Sequence, residues 1–205
     1  MNESYRSQGY ALLPGFLTSD LSKAIVDQVM KDAMTGGVSL DVRETSRVLR
    51  RKTFELFGSR YVPLRTLHWG LTPMVAGLIG QEIAPTFCLF RIYTKDDICR
   101  VHADTSSCEH SISLMLASDG GEPWALDIAT EPTPFRDRPP AEDFGGAGHV
   151  AAPMRPGDAV LYQGGTRRHG RITPNPNKWS AHLFLFWVSR DGLYADKAAF
   201  PKISE

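Results

Sequence analysis

The chain has 205 residues, enough for one ordinary domain with a sizeable core, and we predict a single domain over residues 1–205. Lysine plus arginine and aspartate plus glutamate number 23 each, so the formal net charge is zero. Because nucleic-acid-binding proteins normally carry a basic excess, the balanced charge argues against a nucleic-acid partner.

The three cysteines, Cys88, Cys99 and Cys108, are odd in number and form no Cys-x-x-Cys pair, which argues against a disulfide framework. We expect small buried side chains in a reducing compartment, with Cys99 and Cys108 sensitive to oxidation. The sequence opens without the basic and then apolar pattern of a signal peptide, and its apolar runs are shorter than a membrane span. These features predict a cytoplasmic protein without a membrane partner.

Residues 1–85 are predicted to form an opening strand and supporting helices. The first helix follows Leu17, with Thr18 or Ser19 as its N-cap and Gly36-Gly37 as its end. Its apolar positions recur at helical spacing, and we expect this face to pack on a barrel: Leu21, Ile25, Val29 and Ala33.

A second helix is indicated by Thr72 as cap and Pro73 at the first helical position, running to about Gly80. Between the two helices lies the arginine-rich segment 39–49, which we predict to form a helix with a solvated, charged face. The alternative is that one of its guanidinium groups reaches the mouth of a site and holds a carboxylate or phosphate.

After Pro85 the pattern changes to short β-branched and aromatic runs separated by Gly, Pro and Asp clusters. We predict a catalytic core of eight strands over residues 86–190, followed by a tail at 191–205. The expected strands are 86–94, 98–103, 109–118, 123–130, 149–154, 158–163, 167–172 and 179–190. The segment 131–148 is rich in Pro and Gly and is predicted to be a long, mobile loop near the barrel mouth.

A metal site is indicated by His102 and Asp104, which lie two residues apart in a predicted strand and so project from one face. His169 lies in a second predicted strand and supplies a third ligand of suitable chemistry. Two neutral imidazoles and one carboxylate on one face leave the far side of the ion open, which suits non-heme Fe(II) and O2. We therefore predict that these three residues are both the metal ligands and the catalytic centre.

Three motifs in this order carry a family resemblance: Tyr-x8-His-x-Asp from Tyr93 to Asp104, Pro-Gly-Asp-x-Val-Leu-Tyr at 156–162, and a distal histidine before an aromatic-rich closing strand. Together with the opening segment 9–17, this pattern resembles the 2-oxoglutarate- and Fe(II)-dependent dioxygenases of the prolyl-hydroxylase-like branch. The resemblance implies a mainly β (α+β) fold, a double-stranded β-helix of the jelly-roll, cupin-like kind with N-terminal helices packed on one sheet. It also implies Fe(II) as cofactor, with 2-oxoglutarate and O2 as cosubstrates.

The same resemblance implies a cation for the distal carboxylate of 2-oxoglutarate, about ten residues after the distal histidine. Lys178 stands nine residues after His169 and is the first choice, while Arg171, on the same strand face as His169, is the alternative. Tyr93 occupies a position where the family often places a tyrosine near the cosubstrate. His182, in the closing strand, is a further candidate for contact with the cosubstrate, and His110, Glu109 and Trp124 are candidates for the pocket wall.

In related halogenating enzymes, a small residue replaces the carboxylate, so Asp104 favours hydroxylation, desaturation or ring closure. We expect a hydroxylase whose substrate is a small molecule, such as an amino acid or a natural-product intermediate. Two alternatives remain open: a protein side-chain hydroxylase of the same mechanism, and a cupin-like metalloenzyme or binding barrel that does not use 2-oxoglutarate. The sequence does not indicate an oligomeric state.

Overall fold

The computed structural model describes residues 1–134 and 139–199. Its antiparallel strands form two sheets. The strands of the larger sheet, in spatial order, are β1 (Tyr10–Leu13), β9 (Ala159–Tyr162), β6 (His110–Ser118), β11 (Trp179–Ser189), β4 (Ile83–Thr94), β3 (Thr53–Phe57) and β2 (Asp41–Arg43). The smaller sheet has the order β5 (Cys99–His102), β10 (His169–Arg171), β7 (Leu126–Ala129) and β8 (His149–Ala152).

The eight strands from β4 to β11 coincide with the eight predicted ones to within a few residues. Strands β6 and β11 are buried along almost their whole length, because the larger sheet is covered by helices on one face and by the smaller sheet on the other. The predicted jelly-roll core with helices on one sheet is confirmed.

The first long helix is α2 (Ser19–Met34), and the Thr18 side chain caps it by accepting the backbone N–H of Leu21. The residues that α2 buries are Ser22, Val26 and Val29. The predicted buried face was wrong at Leu21, which is 46% exposed, because the face that meets the sheet is rotated by one position along the sequence. A shorter helix, α1 (Glu3–Gln8), precedes β1 and was not predicted.

The second long helix is α3 (Val62–Ile79), which begins eleven residues before the predicted start at Pro73. Pro73 lies inside this helix and does not begin it, so the predicted boundary was wrong. The helix continues through the proline because Leu71 and Val75 on either side of it are anchored in the core. Its end at Gly80, which has a φ of 86°, agrees with the prediction.

The arginine-rich segment 39–49 does not form the predicted helix. It contributes β2, whose Asp41 and Arg43 pair with Glu55 and Thr53 of β3. These two strands extend the larger sheet beside β4 and were not predicted. The edge strand β2 was missed because a short charged strand carries little apolar alternation.

The described parts of the segment 131–148 contain no strand of either sheet, as predicted, and residues 135–138 lie outside the described residues. The backbone N–H of Thr133 donates to Thr166, and Ala141 exchanges backbone hydrogen bonds with Val101. The predicted mobility of this loop stays a prediction. In the predicted tail, the structure describes residues 191–199. Among all the described helices, none has the length and apolar character needed to cross a membrane.

Candidate metal centre and its cavity

His102, Asp104 and His169 meet where the smaller sheet faces the larger one. His102 ends β5, Asp104 follows two residues later outside the strand, and His169 begins β10 directly opposite His102. Asp104 Oδ1 lies 3.5 Å from His102 Nε2, and Asp104 Oδ2 lies 3.6 Å from His169 Nε2. One ligand atom from each of the three side chains lies within 4.8 Å of the other two.

Both imidazoles are oriented by their own backbone. His102 Nδ1 donates to the carbonyl of Arg100 at 2.7 Å, and His169 Nδ1 donates to that of Arg167 at 2.9 Å. Because a carbonyl only accepts, each Nδ1 carries a proton, and each Nε2 faces the Asp104 carboxylate. This is the arrangement that metal-ligating histidines adopt in proteins.

The three side chains perturb one another's protonation. Burial opposes ionisation of Asp104, but the His169 and His102 imidazoles outweigh it and lower the pKa of the carboxyl group. Burial lowers the pKa of His169 to about 4. At neutral pH, the site therefore presents a carboxylate and a neutral His169 imidazole. Burial lowers the pKa of His102, but Cys99 and Asp104 outweigh it and raise that pKa well above its usual range, so a metal ion would displace a proton from His102 on binding.

A tight backbone approach holds Asp104 in place. Its N–H donates to the carbonyl of Gly164 at 2.9 Å, and the Ser111 hydroxyl donates to Oδ2 at 3.5 Å. A methyl group at position 164 would collide with Asp104 Oδ2 and Ser111 Oγ. Only glycine allows the backbone to pass this close to the carboxylate.

A cavity of about 380 Å³ opens beside the three side chains and runs along the larger sheet. Its lining includes alternate residues of β4, namely Phe87, Leu89, Arg91 and Tyr93, together with Phe184 and Phe186 of β11. Its lining also includes Arg171, which lies two residues beyond His169 on the same strand face.

Arg171 is a buried cation, only 1% exposed. Its guanidinium donates to the carbonyl of Trp124, to the Ser113 hydroxyl and to His182 Nδ1 at 2.8, 3.2 and 3.2 Å, and it lies over the Trp124 ring. Within the described part of the chain, it has no carboxylate within 4.0 Å. Burial lowers the pKa of Arg171, as expected for a guanidinium without a close counter-ion.

Tyr93 lines the cavity and His182 contacts Arg171, and the expected contact of both with a cosubstrate stays a prediction. The two rings are nearly perpendicular, with centroids 5.5 Å apart, and both are buried. Because His182 Nδ1 accepts from Arg171, this imidazole carries its proton on Nε2, and burial keeps its pKa well below the usual range. The Tyr93 hydroxyl accepts a hydrogen bond from Arg91 at 3.0 Å.

Lys178 is not brought to the cavity. Its side chain is 81% exposed and pairs with Asp119 at 3.4 Å on the surface. The turn 174–177 ends immediately before β11, so Lys178 stands at the outer end of the strand, whereas Ser180 and His182 lie further in and are buried. The spacing from His169 is as the family pattern requires, but the turn directs the residue outward.

Two arginines between residues 39 and 51, Arg43 and Arg50, have partners outside the cavity. Arg43 pairs with Glu55 at 2.9 Å and Arg50 with Glu142 at 2.6 Å, and neither lines the cavity. These pairings do not support the alternative in which a guanidinium of this segment reaches the mouth of the site.

The three residues that the sequence offered for the pocket wall, Trp124, His110 and Glu109, do not lie at the same cavity. Trp124 packs against Arg171, whereas His110 and Glu109 line a different, smaller cavity. His110 Nδ1 bonds the Tyr5 hydroxyl at 2.6 Å, and the Glu109 carboxylate accepts from Ser189. These two residues belong to a buried polar network away from the metal centre.

The sequence reasoning did not single out several residues of the cavity lining, among them Arg91, Tyr162 and Phe57. Arg91 alternates with Tyr93 in a predicted strand, so the period-two pattern could have revealed it. Tyr162, whose ring lies 4.6 Å from that of His169, ends another predicted strand. Phe57 gave no such signal, because it lies in a strand that was not predicted.

All three cysteines are free and buried, as expected for small core side chains. Cys99 and Cys108 line the cavity beside the metal centre. Their sensitivity to oxidation stays a prediction.

Comparison with known proteins agrees with this architecture. The chain matches none of the protein-family models and none of the curated proteins. Among solved structures, it is similar to a prolyl-4-hydroxylase from Pseudomonas putida, with 14% identity, 92% of this chain and 96% of that chain covered, and a TM-score of 0.63.

It is also similar to the α-ketoglutarate-dependent carbocyclase SnoK from nogalamycin biosynthesis, with 14% identity, coverage of 98% and 91%, and a TM-score of 0.68. HygX from Streptomyces hygroscopicus, solved with nickel and 2-oxoglutarate, gives 12% identity, coverage of 91% and 85%, and a TM-score of 0.66. The chain therefore has the fold of the non-heme 2-oxoglutarate-dependent oxygenases. At these identities, the likeness is one of fold, and the function has to be argued from the site.

Proposed function

We propose that this protein is an Fe(II)- and 2-oxoglutarate-dependent oxygenase that hydroxylates a C–H bond of a small molecule. One observation carries the proposal: a two-histidine, one-carboxylate cluster and a buried arginine without a close carboxylate partner line the same cavity. The first fits a metal ion with open positions, and the second fits a carboxylate supplied by a ligand.

The donor atoms fit a single ion. Metal bonds to nitrogen and oxygen are about 2.0–2.2 Å long, so two ligand atoms on one ion lie no more than about 4.4 Å apart. The contacts of the Asp104 carboxylate with the imidazoles, 3.5 Å from Oδ1 and 3.6 Å from Oδ2, satisfy this limit. One ligand atom of each side chain lies within 4.8 Å of the other two, so a small inward shift of the side chains would complete the site. The backbone-bonded Nδ1 atoms fix the orientation of both imidazoles, and metal binding would release the proton that His102 Nε2 carries at neutral pH.

Arg171 is the residue that we propose for the distal carboxylate of 2-oxoglutarate. A buried guanidinium is costly without an anion, and a carboxylate would supply two charge-assisted hydrogen bonds. His182 and Trp124 hold the guanidinium from the side and from one face, respectively. We assign Tyr93 and His182 to the wall of the cosubstrate site, and Lys178 has no part in it.

Fe(II) with 2-oxoglutarate and O2 supplies the oxidising power that breaks an unactivated C–H bond. The role of the protein is to position the ion, the cosubstrate and the substrate, and to exclude water from them. His102, Asp104 and His169 hold the ion from one side, Arg171 fixes the cosubstrate, and the buried aromatic side chains keep the inner end of the cavity dry. Asp104 fills the third protein position, which favours hydroxylation over halogenation.

A small-molecule substrate is favoured by two of the similar structures, one of HygX with hygromycin B bound and one of the epimerase SnoN in complex with nogalamycin RO. A protein side chain is the alternative substrate, because another of the similar structures is a prolyl-4-hydroxylase. A cupin-like enzyme that does not use 2-oxoglutarate is less well supported, because it would leave Arg171 buried without an anion.

The test is calorimetric titration of 2-oxoglutarate under nitrogen, with and without one equivalent of Fe(II). We expect 2-oxoglutarate to bind at least tenfold more tightly when the metal is present, because one end of the molecule then chelates the ion. Equal binding with and without Fe(II), or no binding in either case, would contradict the proposal.

A further inference from the structure

The cavity has two chemically different ends along the larger sheet. In β11, His182 lies at the end that holds Arg171, and Phe186 follows four residues later, about 13 Å along the strand. On the neighbouring strand, β4, Phe87 lies beside Phe186, with ring centroids 4.5 Å apart. Phe57 of β3 continues this surface, with its ring centroid 6.5 Å from that of Phe87. We call Phe57, Phe87 and Phe186 the aromatic wall.

The metal centre lies between Arg171 and the aromatic wall. On one side, Arg171 is two residues from the ligand His169. On the other side, the chain that follows Asp104 reaches the aromatic end of the sheet, where the Thr86 hydroxyl donates to the carbonyls of Ser107 and Phe186 at 2.8 and 3.1 Å. A cosubstrate that joins the ion to Arg171 therefore occupies one half of the cavity. The half with the aromatic wall is left for the substrate.

Among the residues that the structure describes, every charged side chain that lines the cavity already has a partner or a proposed role. Asp104 faces the two histidines, and Arg171 is assigned to the cosubstrate. Arg91 donates to the buried Glu55 carboxylate at 2.8 Å and lies over the rings of Tyr93 and Phe184. The aromatic wall itself carries no charge, and Phe57 and Phe87 are only half-buried, so they are open to a ligand.

We infer that the substrate is an uncharged, ring-bearing small molecule that stacks on the aromatic wall, and not a free amino acid. This inference rests on the proposed function and narrows its substrate class. A flat ring gains burial and ring-to-ring contact on Phe57, Phe87 and Phe186. A zwitterionic head group placed there would lose its hydration without finding a partner of opposite charge in the described lining.

The test uses two probes with the same ring system and different charge, 2-naphthol and 3-(2-naphthyl)-L-alanine. Each is titrated under nitrogen into protein loaded with Fe(II) and 2-oxoglutarate, and again into the metal-free protein, with binding followed by calorimetry. We expect 2-naphthol to bind at least tenfold more tightly than the amino acid in both forms of the protein.

Two variants separate the aromatic wall from general apolar binding. Phe87→Ala should weaken 2-naphthol binding at least tenfold. Phe87→Leu, which keeps a branched apolar side chain without the ring, should bind 2-naphthol with an affinity between that of Phe87→Ala and that of the wild type. Phe54→Ala is the matched control, because Phe54 is in the same strand as Phe57 but lines a separate groove beside α2. It should bind 2-naphthol like the wild type.

The outcomes distinguish this inference from the proposed function. If 2-oxoglutarate binds in a metal-dependent manner but 2-naphthol does not bind, or binds equally well to Phe87→Ala, the inference is overturned and the proposed function stands. Tighter binding of the amino acid probe would also overturn it. If 2-naphthol depends on Phe87 but 2-oxoglutarate does not bind, the proposed function fails and the aromatic wall remains a ring-binding surface.

Discussion

His169 lies directly opposite His102 across the antiparallel pair of β10 and β5, and their imidazole centroids are 4.5 Å apart. Two residues further along β10, Arg171 pairs with Cys99, so three steps on β5 oppose two on β10 and a bulge lies between them. The bulge turns both Cys99 and His102 toward the cavity, although regular alternation would place them on opposite faces. One short strand pair thus sets two of the three proposed metal ligands and the proposed cosubstrate cation on the same surface.

The first prediction concerns the cosubstrate cation. Arg171→Met should reduce 2-oxoglutarate affinity at least about tenfold, because a hydrogen bond to a charged group contributes about 1.5–3 kcal/mol. Lys178→Ala should leave the affinity unchanged. Calorimetry on the Fe(II)-loaded protein measures both. The reverse pattern, with loss in Lys178→Ala and none in Arg171→Met, would show that the surface lysine is the cation.

The second prediction concerns Gly164. Replacing it with alanine should displace Asp104 and lower the affinity for Mn(II), a redox-stable substitute for Fe(II), about 10- to 100-fold, as is typical when the support of a metal ligand is lost. Gly77→Ala is the matched control, since an added methyl group there has no heavy atom within 4 Å. Thermal unfolding of both variants checks that the fold is intact. Unchanged metal affinity in a folded Gly164→Ala protein would show that Asp104 tolerates the displacement.

The third prediction concerns pH and a histidine far from the metal centre. His68 of α3 is buried against Trp187, with ring centroids 4.6 Å apart, and burial lowers its pKa from 6.5 to about 4. Between these two values, the unfolded chain binds a proton at this position that the folded protein does not. The free energy of unfolding therefore falls as the pH falls from about 6.5 toward 4.

Urea unfolding of the metal-free protein at pH 7.5 and 5.5 measures this effect. Between these conditions, the wild type should lose about 1.3 kcal/mol more stability than His68→Phe, which keeps a ring beside Trp187 without titrating. An equal loss in the two proteins would show that His68 is protonated in the folded state at pH 5.5.

The strands of the core were predictable because each carries its own local signal. Alternation, β-branched residues and bounding turns identify β4 to β11 segment by segment, and the His-x-Asp spacing identifies two of the proposed ligands. The residues at which the helices begin were harder to predict. Pro63, in the first turn of α3, and Pro73, inside it, both match the sequence signal for the start of a helix. Burial against the sheet decides where α3 begins, and the spacing of residues in the sequence does not reveal that burial.

What the sequence did not reveal depends on contacts between distant segments. The choice between Lys178 and Arg171 depends on the direction of one turn, and both residues satisfy a plausible spacing. The role of Glu55, which neutralises Arg91 36 residues further on, depends on β3 pairing with β4. The aromatic wall likewise draws on three separate strands.

The most direct test of the central claim is anaerobic absorption spectroscopy of the protein with Fe(II) and 2-oxoglutarate together. Chelation of ferrous iron by a keto acid produces a weak visible charge-transfer band. We expect this band in the wild type and in His149→Ala, where the exposed His149 lies outside the proposed ligand set, and its loss in His102→Ala, Asp104→Ala and His169→Ala. A band that persists in the three ligand variants, or that is absent from a wild-type protein shown to bind Fe(II), would contradict the account.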